Sequence, residues 1–433
     1  MATVLPMRTA AEMALIERYH AEKATLPGAA EARAAAFARF EKAGLPGKRV
    51  ESWHYTDLRN LMRTAGTPND IEEVPTDKIE AFDGFTHIAL INGRRWTSEA
   101  VMPAGVAISL LDDALRSGTV TLDRGMGQAN DLVVDLNTAF VRNGLVISVS
   151  EGVEARLHLA CVDVFREFAE VSDGPGSIAS RIIVEVAPGA SLALVESHTG
   201  PDGIAYQKNA VVELLIGDSA KVEHIRLNAG GDKALMLSTL AAKIGAEAEL
   251  TSVNFTTGGE VSRHQSFITY AGENAKLRLN GATMLKGRQH CDNTLVVDHA
   301  VPHGESRELF RSVIDNEAQG VFQGKIIVRP HAQKTDGQMA SNALLLSDEA
   351  AMSNKPELEI FADDVVCAHG ATSGALDDSQ LFYLMARGLP RVEAEALLVE
   401  AFVDEALDAI NHDGVREALA ARVSDWMRAR KES

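Results

Sequence analysis

A chain of 433 residues with 46% hydrophobic and 24% charged residues has an ordinary folding composition and room for two or three domains. Its 61 acidic against 42 basic residues give a net charge of −19, which speaks against non-specific binding to nucleic acid or to an anionic membrane. Three dispersed cysteines without a CxxC pair argue against a disulfide framework, and no apolar run of about 18 residues exists to form a transmembrane helix.

The first 20 residues lack the basic start and apolar run of a signal peptide, and Glu12 and Glu17 speak against a transit peptide. A cytoplasmic location is therefore expected. Residues 9 to 45 read as two helices broken at Gly28. Thr9 and Glu12 have capping-box spacing, in which each side chain satisfies a free backbone donor of the first turn. Gly44 to Gly47 ends the second helix. In the stretch from Glu51 to Leu58, Trp53 and Tyr55 stand two apart beside polar residues, as suits an anchor that docks this segment on the next domain. Residues 66 to 84 are polar, contain two prolines and read as a connector.

From Phe85 short alternating strands begin, with Asn92-Gly93 as a turn signal. Val106 to Leu111 and Val133 to Leu136 are expected to continue as strands. Between Leu145 and Leu279 five glycines, Gly152, Gly189, Gly217, Gly245 and Gly272, each separate two alternating runs. The last three spacings are 28, 28 and 27 residues, and the first is 37, which leaves room for a loop around Asp173-Gly174-Pro175-Gly176. Aligned on the glycines, Val149, Val186, Leu214, Ala242 and Thr269 fall three before, and Leu157, Leu194, Val222, Leu250 and Leu277 five after. Each unit reads as strand, turn, strand. No such unit buries its apolar face alone, so a fixed period predicts a stacked architecture with one continuous core. Short β-type runs persist to Gly374.

Asp377-Asp378-Ser379 then marks a helix start, and Pro390 suits the first turn of another helix. Leu398, Phe402, Ala406 and Ile410 form one stripe, and Val415, Leu419, Val423 and Trp426 a second on a last helix. These stripes pack on each other, on the β body or on a partner.

No GxxxxGK(S/T) phosphate loop, no dinucleotide-binding GxGxxG and no GxSxG elbow is present, so no ATP is expected to bind this chain. The most suggestive motif is Cys367-Ala368-His369-Gly370-Ala371-Thr372, which follows a strand-like run. On a continuing strand, Cys367 and His369 share one face. A thiol and an imidazole side by side suit a soft metal or cluster site, or an activated nucleophile pair. They suit equally a core cysteine beside a hydrogen-bonded histidine. Two ligands do not complete a zinc or Fe–S site, so others would come from elsewhere, for instance another subunit. A polar strip of His290, Cys291, Asp292, Asp298, His299, His303, Glu305 and Arg311 reads as an exposed interface more readily than as a metal site. The run His331 to Gly337 reads as a turn that positions a neighbouring strand. A β-helix carbohydrate-active enzyme is a rival reading, but such proteins usually carry a secretion signal.

Several of these stretches together resemble the SufB/SufD family of iron–sulfur cluster assembly scaffolds. They are E-S-W-H-Y-T-D-L from Glu51 to Leu58, Asp298-His299, Pro302 to Ser306, Lys334 to Gln338, Asn354 to Ile360, Cys367 to Thr372 and Phe382 to Gly388. The chain has no cysteine before Cys161, and so lacks the cysteine-rich N-terminal motif that many SufB-type members carry. It is most similar to the SufD type, with a SufB-like main scaffold that receives sulfur as the alternative. The resemblance implies a right-handed parallel β-helix over residues 85–375, between an N-terminal helical region, 1–84, and a C-terminal helical domain, 376–433. It implies a SufC-type ATPase bound through the C-terminal helices and a SufB-type paralogue paired through the β-helix. A homodimer is conceivable when the chain is alone. It also implies a non-catalytic scaffold in which His369 and Cys367 lie near the subunit interface and meet iron or a transient Fe–S cluster.

Overall fold

The computed structural model describes residues 8–69, 71, 81–97, 101–127, 129–165 and 174–430. The first helix, Ala10–Glu22, begins at Thr9, whose hydroxyl accepts from the Glu12 amide at 3.2 Å. The Glu12 carboxylate accepts from the Thr9 amide at 2.8 Å, which closes the expected capping box. The other Glu12 oxygen accepts from the Leu45 amide at 2.9 Å and so ties this helix to the end of the second, Ala30–Ala43. Between the two, Gly28 and Ala29 take positive φ values of 47° and 51°, and Tyr19 stacks on Phe37 with ring centroids 3.7 Å apart.

Thr86–Ile91 and Arg95–Thr97 form the predicted hairpin. Asn92 and Gly93 both have positive φ and, with Arg94, make the three-residue connection between the paired Ile91 and Arg95. Val133 to Leu136, expected as a strand, belongs instead to the helix Leu132–Phe140. The Asp131 carboxylate accepts from the amides of Val133 and Val134 at 2.8 and 3.3 Å and caps the helix start. With Val133, Val134, Leu136 and Ala139 all buried, the cap and the packing outweigh the β-branched preference for strands.

The body is a parallel β-solenoid of about seven turns. Each coil contributes one strand to each of two ten-stranded sheets. The first sheet runs through Asn143–Val149, Gly176–Val186, Tyr206–Ile216, Ala234–Ile244, Val261–Tyr270, His290–His299, Gln319–Val328 and Ala351–Ile360. The second runs through Glu154–Val162, Ser191–Thr199, Lys221–Ala229, Glu249–Thr256, Lys276–Leu285, Glu305–Ile314, Asp336–Leu345 and Val366–Gly374. Every one of these strands lies parallel to its neighbours in the next coil. Part of the expected loop, 166–173, lies outside the described residues.

The glycine repeat needs one correction. Val149 pairs with Val186, but Val186 pairs with Ile216, Ile216 with Ile244 and Ile244 with Tyr270. Gly217 therefore follows the equivalent of Val186 directly and is not the counterpart of Gly189. Gly152 and Gly189 hold a left-handed turn position, with φ of 68° and 66°. Ser219, Glu247 and Asn274 hold it in the following coils, with φ of 58°, 54° and 60°. Gly217, Gly245 and Gly272 serve another purpose. A Cβ on Gly272 would lie 2.0 Å from the Ala246 nitrogen, and one on Gly245 would lie 2.8 Å from that of Asp218, so they let successive turns stack closely. A slip of two residues preserves strand alternation, which is why the apolar pattern alone does not separate the two alignments.

The solenoid interior has two halves. One is apolar and includes Leu145, Ile147, Leu157, Leu192, Leu194, Leu214, Leu240, Leu277, Val297 and Phe322. The other is polar and equally buried, with Glu196, His198, His224, Arg226, Ser252, Asn254, His264 and Asn293. Three C-terminal helices, Asp378–Ala386, Arg391–Leu407 and Asp413–Arg430, follow the last coil. The last two bury Val399, Val403, Leu407, Val415, Leu419, Val423 and Trp426 against the outer face of the second sheet at Val195, Ile225, Val253, Phe255 and Met284. The stripe on the middle helix is thus rotated by about one residue from the expected line. Leu398 and Phe402 are only half-buried, and the Phe402 ring lies under the Arg311 guanidinium, 4.9 Å from its centre. Among the described residues no helix is long and apolar enough to cross a membrane.

Candidate functional site

The solenoid ends in two edge strands. Among the described residues Val366–Gly374 pairs only with Asp336–Leu345, and Ala351–Ile360 only with Gln319–Val328. Each therefore presents a row of ladder donors and acceptors on its outer side. An apolar rim accompanies them, since Ile360, Phe361 and Val366 are 40%, 58% and 64% exposed. Gly370 and Gly374 face open space where a side chain would stand.

Cys367 and His369 lie on the last strand, in register with Gly337 and Met339. Alternation sets them on one side of the strand, as their spacing predicts. Cys367 is half-buried and packs on the end of the apolar core, and burial pushes its thiol pKa up. His369 is exposed above Met339, which is itself a core residue. Among the described residues no third His, Cys, Asp or Glu joins these two at ligand spacing. The pair is an incomplete soft-donor set at an open edge.

Beneath it lies a residue that the sequence did not single out. Glu308, Met339 and His369 occupy one register column on three successive coils. Glu308 is 2% exposed, neither carboxyl oxygen has a partner at good hydrogen-bond geometry, and burial, outweighing the nearby Ser306 hydroxyl and Arg307 guanidinium, pushes its pKa up to about 8. The signal available in the sequence was its place at an inward position, two after Ser306 and two before Phe310. In the preceding coil His299 stacks on Tyr270, with centroids 4.2 Å apart, and shares a hydrogen bond with the Ser306 hydroxyl at 3.1 Å. Burial pushes the His299 pKa down to about 4.

The strip from His290 to Arg311 is neither gathered into one site nor, for the most part, exposed. Cys291, Asp292, Asp298 and His299 are buried. Asp292 pairs with Arg263 and accepts from the Thr56 hydroxyl, and His290 meets the same hydroxyl at 2.9 Å. Asp298 holds Arg329 through two contacts of 2.8 Å, and Arg311 pairs with Glu405 on the middle C-terminal helix. Only His303 and Glu305 are exposed, His303 in a turn with φ of 60°. These residues fasten other segments to the solenoid. The clearest case is the anchor predicted at Glu51 to Leu58. Trp53 is buried, donates to Asp131 at 3.0 Å and lies 3.9 Å under the Arg263 guanidinium. The Ser52 carbonyl accepts from Arg263 and Gln323, and Glu51 reaches Lys355 at 2.8 Å. His331 to Gly337 is a turn, as expected: the Thr335 hydroxyl donates to the Ala332 carbonyl at 2.9 Å, and the Lys334 amide donates to the Asp364 carbonyl at 2.7 Å.

Comparison with known proteins accords with this architecture. Residues 168–402 match the family model for the SufBD core domain of SUF-system FeS cluster assembly, and residues 13–159 match that for the SufBD N-terminal region. The iron–sulfur cluster assembly protein SufD of Escherichia coli is 28% identical over 386 residues, covering 88% of this chain and 89% of that protein. An iron–sulfur cluster assembly SufBD family protein of Synechocystis is 30% identical over 394 residues, covering 84% of each. A chloroplastic protein of Arabidopsis thaliana, ABCI7, is 28% identical over 391 residues, covering 86% of this chain and 80% of that one.

Proposed function

The chain belongs to the SufBD family of SUF-system FeS cluster assembly, and on that premise we propose that it is a SufD-type scaffold subunit acting in the cytoplasm. The observation that carries this reading is the open last coil, where two unpaired strand edges and an apolar rim accompany Cys367 and His369. A SufB-type paralogue adds its own strands to these edges, a mode in which main-chain hydrogen bonds supply affinity and side chains supply specificity. Two copies of this chain pair through the same edges when the paralogue is missing.

Iron, or a nascent Fe–S cluster, is the cargo at that junction. His369 supplies an imidazole and Cys367 a thiolate, and the partner supplies the ligands this chain lacks, because a cluster is held by about four donors. Binding the cargo requires Cys367 to lose its proton; the thiol, pushed up by burial, releases it to solvent as the iron–sulfur bond forms. A SufC-type ATPase docks on the C-terminal helices, where Phe382 and Tyr383 are 73% and 57% exposed and Met385, Val392 and Leu397 lie bare nearby. ATP hydrolysis belongs to that partner, since this chain carries no phosphate-binding loop. Its movement pulls on the C-terminal helices and opens the junction to the cargo.

The test is His369→Ala in the complex reconstituted with both partners without oxygen. Assembly, read by size-exclusion chromatography, stays intact, while iron content and cluster absorbance fall toward background. Unchanged iron and cluster yield in an intact complex would remove His369 from the function.

A further inference from the structure

Far from the open end, the polar half of the interior brings three ligand types together. Cys161 lies in register with His198 of the next coil, and Leu159 with Glu196, so alternation turns Cys161, Glu196 and His198 all inward. One donor atom from each lies within 4.8 Å of the others. The three residues are 4%, 0% and 2% exposed. The ring of His198 spends one nitrogen on Glu196 at 3.2 Å, and its Nδ1 is buried with no hydrogen-bond partner. Buried polar atoms are rarely left so, and here the unsatisfied ring belongs to a group of three side chains of metal-ligand type.

We propose that Cys161, Glu196 and His198 form an internal binding site for a borderline-soft divalent ion such as Zn²⁺. Sulfur, imidazole and carboxylate are the donor set such an ion selects, at about 2.0–2.3 Å each. Tetrahedral coordination at those lengths sets the donors about 3.3–3.8 Å apart, which side-chain rotation of about an ångström reaches from the observed spacing. The carboxylate is already oriented from behind. Its second oxygen meets His224 Nε2 at 2.5 Å, and the Nδ1 of that ring meets the Ser252 hydroxyl at 3.0 Å. Such outer partners fix the ligands of metal sites.

Charge permits the assignment. Two cations face the cluster: Lys208 is bound to Asp163 through two contacts of 2.7 and 2.9 Å, and Arg226 donates to Asn254 at 2.9 Å. On binding, the Cys161 thiol, which burial pushes up to about 12, releases its proton to solvent and forms the metal–sulfur bond. Dication, thiolate and carboxylate then sum to zero. Arg226 keeps its amide partner and is the electrostatic opposition that the site works against.

The site is independent of the proposed cargo position. Cys161 and Cys367 lie seven coil steps apart in the second sheet, about 34 Å at the usual strand spacing. The test uses the full chain stripped with a chelator and offered Co²⁺, both as folded protein and during refolding. The expected result is one cobalt per chain with a thiolate-to-cobalt charge-transfer band and the intense visible bands of a tetrahedral ion. Cys161→Ser abolishes the charge-transfer band, near-isosteric Glu196→Gln weakens binding at least tenfold, and the Cys367→Ser, His369→Ala double variant leaves both unchanged. Wild-type protein that takes up no cobalt with a charge-transfer band in either protocol overturns the proposal without reference to any variant. So does a band that survives Cys161→Ser or disappears with the double variant. The iron readout on His369→Ala stands or falls separately from all of these.

Discussion

Glu308 gives the sharpest quantitative test. Its carboxyl is buried, without a partner at good hydrogen-bond geometry, and held up to about 8, against 4.5 for a free glutamate. A raised folded-state pKa means that the contribution to stability is complete below the unfolded value and is lost as pH rises through the folded one. Between pH 4.5 and about 8 the unfolded chain gives up a proton that the native protein keeps, so this residue lowers stability by about 1.4 kcal/mol per pH unit. Glu308→Gln keeps the shape and removes the titration. Relative to wild type, the variant should be no more stable at pH 4.5, more stable by about 3 kcal/mol at pH 7, and by about 4 kcal/mol at pH 8. A solenoid unfolds as an array of neighbouring coils, so the local readout is hydrogen exchange in Glu305–Ile314 and Asp336–Leu345, with urea midpoints as the global one. Profiles of the two proteins that run parallel from pH 4.5 to 8 would show that the carboxyl is solvated or paired, and the burial argument would fail.

Three further outcomes follow from single side chains. Trp53→Ala removes a buried ring that joins the N-terminal helices to the first sheet and should cost about 3–5 kcal/mol, seen as early protease cleavage within Ala10–Ala43. Gly144 has φ of 143°, and an added Cβ would sit 1.6 Å from the Arg181 carbonyl oxygen, so Gly144→Ala should destabilise by at least about 2 kcal/mol and lower the melting temperature. Iodoacetamide should modify Cys367 alone in the native protein and all three cysteines in denaturant, because burial pushes the thiols of Cys161 and Cys291 up to about 12. Mass spectrometry of native Cys367→Ser that still shows alkylation would contradict this.

How much of this was legible in the sequence depends on distance along the chain. Local chemistry was readable: the Thr9–Glu12 box, the Asn92-Gly93 turn and the shared face of Cys367 and His369 each depend on residues a few positions apart. Period two revealed a stacked body but not its register, because Gly217 and Ser219 fit the same alternation equally well. At Val133 a β-branched pair argued for a strand, and the cap from Asp131 decided for a helix. The lateral neighbours were the least readable. Glu196 meets Cys161 and His224 only because coils of unequal length bring them together, and Glu308 reaches the column of His369 across two coils. A list of polar residues between His290 and Arg311 suggested a surface, while Arg263 and Thr56 arrived from elsewhere to bury it.

The polar half of the interior has a consequence for fidelity during folding. A stack of alternating strands is like a ruler whose marks are all the same, and a coil that docks two residues early still hides every leucine and valine. Glu196 and Arg226 make the marks unequal. They are register neighbours whose opposite charges attract only in the native alignment, and an error of two places sets Arg226 opposite Leu194 and Glu196 opposite Asn228. Burying an unpaired charge costs several kcal/mol, which is enough to reject the misthreaded coil. The charged file inside the beam thus acts as a proofreading key for the order of its own turns.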